Sequence, residues 1–222
     1  MKKILTSIIA FALLPLAAQA QTPAPKAWNE LTPEKVQALK AKADPARGEA
    51  VFVACVGCHR KEATGRSSGA YPRLAGQHAT VLIKQMLDIY SGLRTNPKMK
   101  DYVEDHLSDP RDIADAAAYL SALPIPADAI GRGPGIAAGS GKTLYDRDCA
   151  HCHGSNGEGD AAKFYPMVAA QHYRYLLREM HYIRDGDRGN SNPDMVKVIK
   201  PYHEDDLTAL ADYMSSLPPP KK

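Results

Sequence analysis

Two short motifs place thiols next to an imidazole, at residues 55–59 (CVGCH) and 149–153 (CAHCH). The pattern Cys-x-x-Cys-His is the attachment signature of a c-type haem, because the two thiols add to the haem vinyl groups and the adjacent histidine binds the iron. Two copies therefore predict two covalently attached haem c groups. The predicted attachment residues and proximal ligands are Cys55, Cys58 and His59 for the first group, and Cys149, Cys152 and His153 for the second.

The same cysteine spacing occurs in thioredoxin-like redox dithiols, structural disulfides and zinc sites. A redox dithiol needs a strand-and-helix context, and the sequence has no strand pattern around either motif. Tetrahedral zinc would need both cysteine pairs brought together and would leave the two histidines without a role. The haem interpretation uses all four cysteines, so it leaves no thiolate to act as a nucleophile or as an iron ligand.

The sixth iron ligand must come from elsewhere, and four methionines recur as two equivalent pairs. Met86 and Met180 fall within amphipathic helical stretches, where a methionine usually fills space in a core. Met99 and Met195 each follow Asn-Pro in a predicted non-helical loop, 40 and 42 residues beyond the proximal histidine. Such a loop can turn back across the other haem face, so we predict Met99 and Met195 as axial ligands. The alternative is a loop methionine that packs on the haem edge.

A histidine that recurs, His78 in one copy and His172 in the other, is the competing ligand because it would give bis-histidine iron. Its place beside a glutamine at the start of a helix favours surface capping or a contact with a haem propionate. Arg94 and Arg188 also recur, which fits either a propionate partner or a solvated helix end. His151 lies inside a haem motif and is not expected to reach the same iron.

An internal repeat of 94 residues organises the chain around these motifs. Tyr-Pro at 71–72 returns at 165–166, and Gln-His at 77–78 returns at 171–172. Apolar residues at helical spacing and the helix start at Asp109-Pro110 predict an all-α chain of two small domains. Each domain alone would bury a marginal core, which a covalently held haem would complete. The predicted boundaries are a first domain at 45–124, a linker at 125–140 and a second domain at 141–220.

With these features assembled, the chain resembles the cytochrome c4 family of dihaem electron carriers. The similarity covers about residues 45–220 and rests on the duplicated CxxCH motif, the YP-x-(L/V)-A-(G/A)-QH stretch, the NP-x-M segment and a helix closing on Leu-Pro. It implies two tandem class I cytochrome c domains related by pseudo-twofold symmetry, with haem propionates facing each other near the interface. It also implies that the Pro72 and Pro166 carbonyls accept hydrogen bonds from the proximal histidines. Val168-Ala169-Ala170 stands where the first copy has Leu74-Ala75-Gly76, a departure that could shift packing around the second haem.

Residues 1–20 have the pattern of a secretory signal peptide, with Lys2 and Lys3, an apolar run from 4 to 16, and Ala18-Gln19-Ala20 before the cleavage point. Cleavage would place the mature protein in a bacterial periplasm, where peripheral membrane association remains open. An uncleaved membrane anchor is the alternative, but the apolar run is shorter than the ~20 residues that usually span a bilayer.

An N-terminal extension at 21–44 departs from the family pattern. It contains the only tryptophan, Trp28, and a predicted short helix with Thr32 as its cap and Pro33 as its first residue. The extension could dock a partner, reach a membrane protein or brace the first domain. We expect the last of these.

The charge distribution limits which binding partners are expected, because each predicted domain is formally neutral. Residues 45–130 hold ten basic and ten acidic side chains, and residues 131–222 hold twelve of each. A nucleic-acid-binding protein would concentrate basic residues on one face, so nucleic acid is not expected as a partner. Neutral domains favour docking through local apolar patches around the haem edges.

Histidine–methionine ligation closes an iron to exogenous ligands, which favours electron transfer over catalysis. The predicted function is that of a periplasmic dihaem cytochrome c that transfers electrons between a respiratory or dehydrogenase donor and a terminal acceptor. Its expected partners are redox proteins, including membrane-bound oxidases or dehydrogenases, with no small-molecule substrate. The alternative is a dedicated electron-transfer subunit of a dihaem oxidoreductase, or such an enzyme itself, acting on peroxide or on a sulfur compound. An enzyme would need an open or labile sixth position.

Overall fold

The computed structural model describes residues 28–107 and 109–220, so the predicted signal peptide lies outside the described residues. Within these ranges the regular structure is helical, with one isolated bridge between Asp160 and Tyr165 and no strand. No helix in the described part of the chain is long and apolar enough to cross a membrane. The helices are α1 (Pro33–Lys40), α2 (Pro45–Phe52), α3 (Val56–His59), α4 (Ala79–Tyr90), α5 (Pro97–His106), α6 (Pro110–Ala122), α7 (Ala138–Asp148), α8 (Ala150–His153), α9 (Tyr173–Asp185), α10 (Pro193–Ile199) and α11 (Glu204–Ser216).

Each domain is organised by a pair of crossing helices, α2 with α6 in the first and α7 with α11 in the second. Gly48 lies at the first crossing, where an added Cβ would come 2.0 Å from the Asp115 carbonyl oxygen. Gly141 lies at the second, equally close to the Ala209 carbonyl oxygen. Only glycine permits backbones to approach this closely. Each copy of the repeat therefore contains the same kind of helix crossing, with a glycine at the contact.

The two domains have separate hydrophobic cores. Met86 on α4 packs in the first core and Met180 on α9 packs in the second, and both side chains are buried. These positions agree with the helical spacing seen in the sequence. Cores of this kind bury methionine as a flexible space-filler.

Met99 and Met195 lie in helices, so the prediction of non-helical loops at these positions is wrong. Asn96 is the N-cap of α5, and its side chain accepts a hydrogen bond from the Met99 N–H at 3.2 Å. Asn192 caps α10 in the same way through the N–H of the residue before Met195. Asn-Pro is thus the same helix-start signal as Asp109-Pro110, because proline suits the first helical position and the residue before it stays extended. Both methionines occupy the first turn of a helix.

The two domains are joined by a reciprocal set of hydrogen bonds. The Gln77 side-chain amide donates to the Met167 carbonyl at 3.0 Å and accepts from the Met167 N–H at 2.9 Å. Gln171 makes the same pair of bonds with Arg73, at 3.0 and 2.9 Å. Gln171 and Met167 lie 94 residues beyond Gln77 and Arg73 respectively, so each contact is the symmetry copy of the other. Such an exchange indicates a pseudo-twofold axis between the domains.

His78 and His172 also reach across this interface, so the expectation of surface capping is wrong for both. The His78 Nε2 bonds to the Glu158 carbonyl and the His172 Nε2 to the Thr64 carbonyl, each at 2.7 Å. Neither side chain caps its own helix. The His172 Nδ1 additionally accepts from the Gly131 N–H at 2.9 Å. Both nitrogens of His172 are therefore used by the backbone, which leaves neither for iron or a propionate.

Arg94 and Arg188 form a buried polar cluster between the domains, which excludes the solvated-helix-end alternative. One carboxylate oxygen of Glu179 accepts from both guanidinium groups at 2.9 Å. The Gln85 side-chain oxygen, at the repeat-equivalent position, also accepts from both, at 2.9 and 3.1 Å. Burial by itself would raise the pKa of Glu179, but the adjacent guanidinium groups hold that pKa below its usual value. Arg178 contacts the other oxygen of Glu179 at 3.2 Å, so this carboxylate pairs with three guanidinium groups.

Ala170 keeps the backbone conformation of its counterpart Gly76. The φ angles of the two residues are 51° and 73°, both in the left-handed region. That region costs a residue with a Cβ roughly 1–2 kcal/mol. The Ala170 carbonyl accepts a hydrogen bond at 2.7 Å from Nε of the buried Arg73, so the strained residue belongs to the domain interface.

The N-terminal extension braces the first domain, as expected. Helix α1 packs against α4 and α6, and the Thr32 side chain caps it through the Lys35 N–H. The Lys35 ammonium lies 2.5 Å from a carboxylate oxygen of Asp88, and the Lys84 ammonium lies 2.5 Å from the other. All three of these charged side chains are buried. A paired buried charge of this kind fixes the position of α1 on α4.

Candidate haem sites

Helices α3 and α8 each hold the second cysteine and the histidine of a CxxCH motif within one turn, with the first cysteine just before it. Cys55 packs against the first core and Cys149 against the second. The two cysteine pairs are therefore not brought together as a zinc site would need. All four cysteines lie within the described residues, and no disulfide joins them. Burial raises the pKa of Cys55 to about 11 and that of Cys149 to about 12.

The proximal histidines are oriented by backbone carbonyls, as the family resemblance implies. His59 Nδ1 lies 3.2 Å from the Pro72 oxygen, and His153 Nδ1 lies 2.9 Å from the Pro166 oxygen. Because a carbonyl only accepts, each Nδ1 carries the proton and each Nε2 keeps its lone pair for the iron. Burial lowers the pKa of both imidazoles, which favours the neutral form that binds metal.

Two glycines bring these carbonyls under the histidines. Gly65 has a φ of 73°, and its N–H donates to the His59 carbonyl at 3.0 Å. A Cβ at this position would come 2.5 Å from the Pro72 carbonyl oxygen. Gly159 repeats the arrangement in the second domain, with a φ of 76° and a bond of 2.8 Å to the His153 carbonyl. Both positions require a residue without a side chain.

The second motif opens onto a cleft at the protein surface. Its cysteines and His153 line one part of the cleft, and Met195 lines another. The structure thus brings the predicted thioether to the same space as the predicted attachment residues. The wall also includes apolar side chains, among them Ile183 and Val198.

The first site places its residues comparably. Met99 and Cys55 both pack against the first core, together with Leu74. His59 is buried beside them, and the Tyr71 ring meets its imidazole edge-on with centroids 5.9 Å apart. The first turn of α5 therefore packs against the same core as the first cysteine of the motif.

The donor sets fit haem c at both sites. Each has two thiols in one turn, a neutral imidazole fixed through Nδ1 and a half-buried thioether near the same core. When bound, haem iron supplies one-electron redox chemistry. The chain would contribute covalent attachment, imidazole orientation and apolar contacts, which together tune the reduction potential.

The interdomain contacts are the part of the site region that the sequence predictions missed. Gln77-His78 and Gln171-His172 recur at the repeat spacing, and recurrence was the available signal. It did not distinguish a residue that serves its own domain from one that serves the other.

Comparison with known proteins gives two matches to one family model, described as cytochrome c, over residues 45–124 and 138–218. The chain belongs to the cytochrome c family.

The similar proteins identify the subfamily to which this cytochrome belongs. It is 30% identical to cytochrome c4 of Pseudomonas aeruginosa over 190 residues, covering 80% of this chain and 90% of the relative. It is 33% identical over 198 residues to a protein of Stutzerimonas stutzeri named thiosulfate dehydrogenase electron acceptor, covering 81% and 90%. The crystal structure of reduced cytochrome c4 from Pseudomonas stutzeri superposes with a TM-score of 0.71 at 26% identity, covering 79% of this chain and 99% of that one. The chain is a dihaem electron-transfer cytochrome of the c4 family, with two covalent haem c groups.

Proposed function

We propose that this cytochrome is an exported carrier of the bacterial periplasm that takes electrons from a dehydrogenase or a quinol-oxidising complex and delivers them to a terminal acceptor. The signal-peptide pattern at residues 1–20 supports the location. Two haems in one chain give it a capacity of two electrons. It performs no substrate chemistry of its own.

One observation carries this proposal: Met195 shares the second cleft with His153 and both attachment cysteines. A thioether and an imidazole on the same cleft are the residues that would hold one haem iron. With His153 and Met195 both bound, a small molecule would find no free site on the metal. Met99 serves the first iron in the same way.

Apolar side chains near the first haem motif support docking by redox partners. Val53 lies two residues before Cys55 and is 69% exposed, and Tyr102 on the adjacent α5 is 48% exposed. An exposed apolar patch beside a haem edge suits brief contacts in which charge steering is weak.

A thiosulfate dehydrogenase is the donor that we propose first. The Stutzerimonas stutzeri relative, 33% identical along most of both chains, is named for accepting electrons from that enzyme. The present cytochrome would then be a dedicated acceptor for the oxidation of a sulfur compound. A quinol-oxidising complex is the other donor to be compared.

The test follows haem reduction in the purified, oxidised cytochrome by absorption spectroscopy. Thiosulfate alone should leave both haems oxidised, whereas thiosulfate with a catalytic amount of thiosulfate dehydrogenase should reduce both. A quinol-oxidising complex with its quinol replaces the enzyme in a parallel experiment. Reduction by the complex alone would reject the dehydrogenase as donor.

Rapid reduction by thiosulfate without the enzyme would contradict the carrier proposal, because it would mean that the cytochrome itself oxidises the compound. Carbon monoxide provides an independent check. The reduced protein should not bind it at neutral pH, since binding requires an open sixth position.

A further inference from the structure

Trp28 lies on the second haem cleft although it precedes the first domain in the chain. Its ring stacks on Tyr165 with centroids 6.2 Å apart and planes 14° from parallel. The Lys84 ammonium lies 5.2 Å from the indole centroid, a cation–π contact. Trp28 therefore bridges α4 of the first domain and the Tyr-Pro segment of the second.

The segment around Trp28 is anchored on both domains. On the first, α1 is fixed by the buried ion pair between Lys35 and Asp88. On the second, Phe164 closes a small cavity that is also lined by Asn29 and Leu31. Phe164 has a φ of 59°, a conformation that costs a bulky residue about 1–2 kcal/mol. Phe164 has this conformation where it lines the cavity beside the N-terminal segment.

Within residues 28–107 and 109–220, the first haem site has no equivalent of this cover. The repeat places Ala70 where the second copy has Phe164, so the apolar contact is missing there. Tyr71, the counterpart of Tyr165, is faced instead by the Arg66 guanidinium, 5.8 Å from the ring centroid. One tyrosine is thus covered by an indole and the other by a hydrated cation.

We propose that Trp28 is a shielding residue for the second haem and that it makes the two haems inequivalent. An aromatic wall excludes water from the cleft, and a drier environment favours the less charged, reduced state of the iron. The second haem should therefore be harder to reach from solvent. Its reduction potential should be higher than in a protein that lacks Trp28.

This inference rests on haem occupancy and on the carrier function, but its test uses no partner protein. A failure of the donor experiments above would leave the potentials measured here unchanged. The two proposals are therefore separable.

The experiment is a spectroelectrochemical titration of the holoprotein and of three variants. Trp28→Ala should lower the potential of the second haem and leave that of the first unchanged. Trp28→Phe keeps an aromatic ring, so it should retain most of the parent potential. Arg66→Ala, the matched change beside Tyr71, should lower the other potential because it removes a nearby positive charge. Cyanide should bind one haem of ferric Trp28→Ala faster than either haem of the parent protein.

Potentials that stay unchanged in Trp28→Ala would overturn the proposal, as would a shift of the same haem by Trp28→Ala and Arg66→Ala. A purely structural role for Trp28 would lower the unfolding temperature without moving a potential. If Trp28→Ala does not mature, Phe164→Ala provides the same test with a smaller expected shift of the same haem.

Discussion

The side chain of Gln77 satisfies both backbone polar groups of Met167, accepting from its N–H at 2.9 Å and donating to its carbonyl at 3.0 Å. Both residues are buried, and they belong to different domains. The symmetry copy between Gln171 and Arg73 doubles the contact. Each Pro carbonyl that orients a proximal histidine lies next to one of these bonds in the sequence, so the interface and the haem sites share one loop.

Gln77→Ala should lower the free energy of unfolding, because it leaves the Met167 N–H and carbonyl buried without partners. Each orphaned group costs roughly 1–3 kcal/mol. Urea unfolding of the holoprotein measures the loss. The control is Gln37→Ala on the exposed face of α1, which should change stability by less than about 0.5 kcal/mol. An equal effect of the two substitutions would mean that water replaces the lost bonds.

Glu179→Gln should destabilise the protein by roughly 3–5 kcal/mol, since it leaves the Arg94 and Arg188 guanidinium groups buried without a carboxylate. Gln85 contacts the same two groups from the repeat-equivalent position. The double variant Gln85→Glu/Glu179→Gln should therefore recover most of the loss, because it returns one carboxylate to the cluster. Urea unfolding of the two variants decides this. No recovery in the double variant would show that the position of the charge matters more than its presence.

Stability should fall as the pH drops below about 6.5, with His172 as one cause. Burial lowers the pKa of His172, and the nearby Arg73 and Arg60 add to this effect, whereas the bond to the Thr64 carbonyl opposes it. Below its unfolded pKa of 6.5 the unfolded chain binds more protons than the native protein, so the native state loses its advantage. Above that pH the contribution is fully present.

Urea unfolding between pH 5 and 8 tests this expectation. His172→Gln should lower stability at neutral pH and flatten the pH dependence. His106→Gln, on the exposed end of α5, should leave the pH profile as it is. A parent-like pH slope in His172→Gln would assign the effect to another group.

Met195→Leu should lower the reduction potential of one haem, because a thioether ligand raises the potential of haem iron. Met99→Leu should do the same for the other haem. Met180→Leu and Met86→Leu change core residues of similar volume and should leave both potentials unchanged, at a cost below about 1.5 kcal/mol in stability. A redox titration of the four variants separates ligand from core methionines. A potential shift in Met180→Leu with none in Met195→Leu would reverse the assignment.

Local signals in the sequence were sufficient for much of the fold. Cys-x-x-Cys-His, the cap at Thr32 and the apolar spacing of α4 each depend on residues within one or two turns, so the haem motifs and the helices could be predicted. The Asn-Pro segments were mistaken for loops because proline restricts the residue before it, and the helix that follows depends on the asparagine cap.

The interdomain contacts depend on residues far apart in the chain. His172 binds a carbonyl 108 residues away, and no local pattern carries that information. Trp28 is a similar case, since its stacking partner Tyr165 lies 137 residues further along the chain. A single sequence shows whether such a residue recurs in both copies or occurs in only one. The residue it contacts is defined only by how the two domains dock.

The reciprocal glutamine bonds have an evolutionary consequence. Each half of the molecule now supplies hydrogen-bond partners for peptide groups that the other half buries. A half expressed by itself would expose Gln77 or Gln171 and would leave a loop beneath its iron without support. Deleting either copy of the repeat should therefore destabilise the other, which is a reason for the two copies to be retained together.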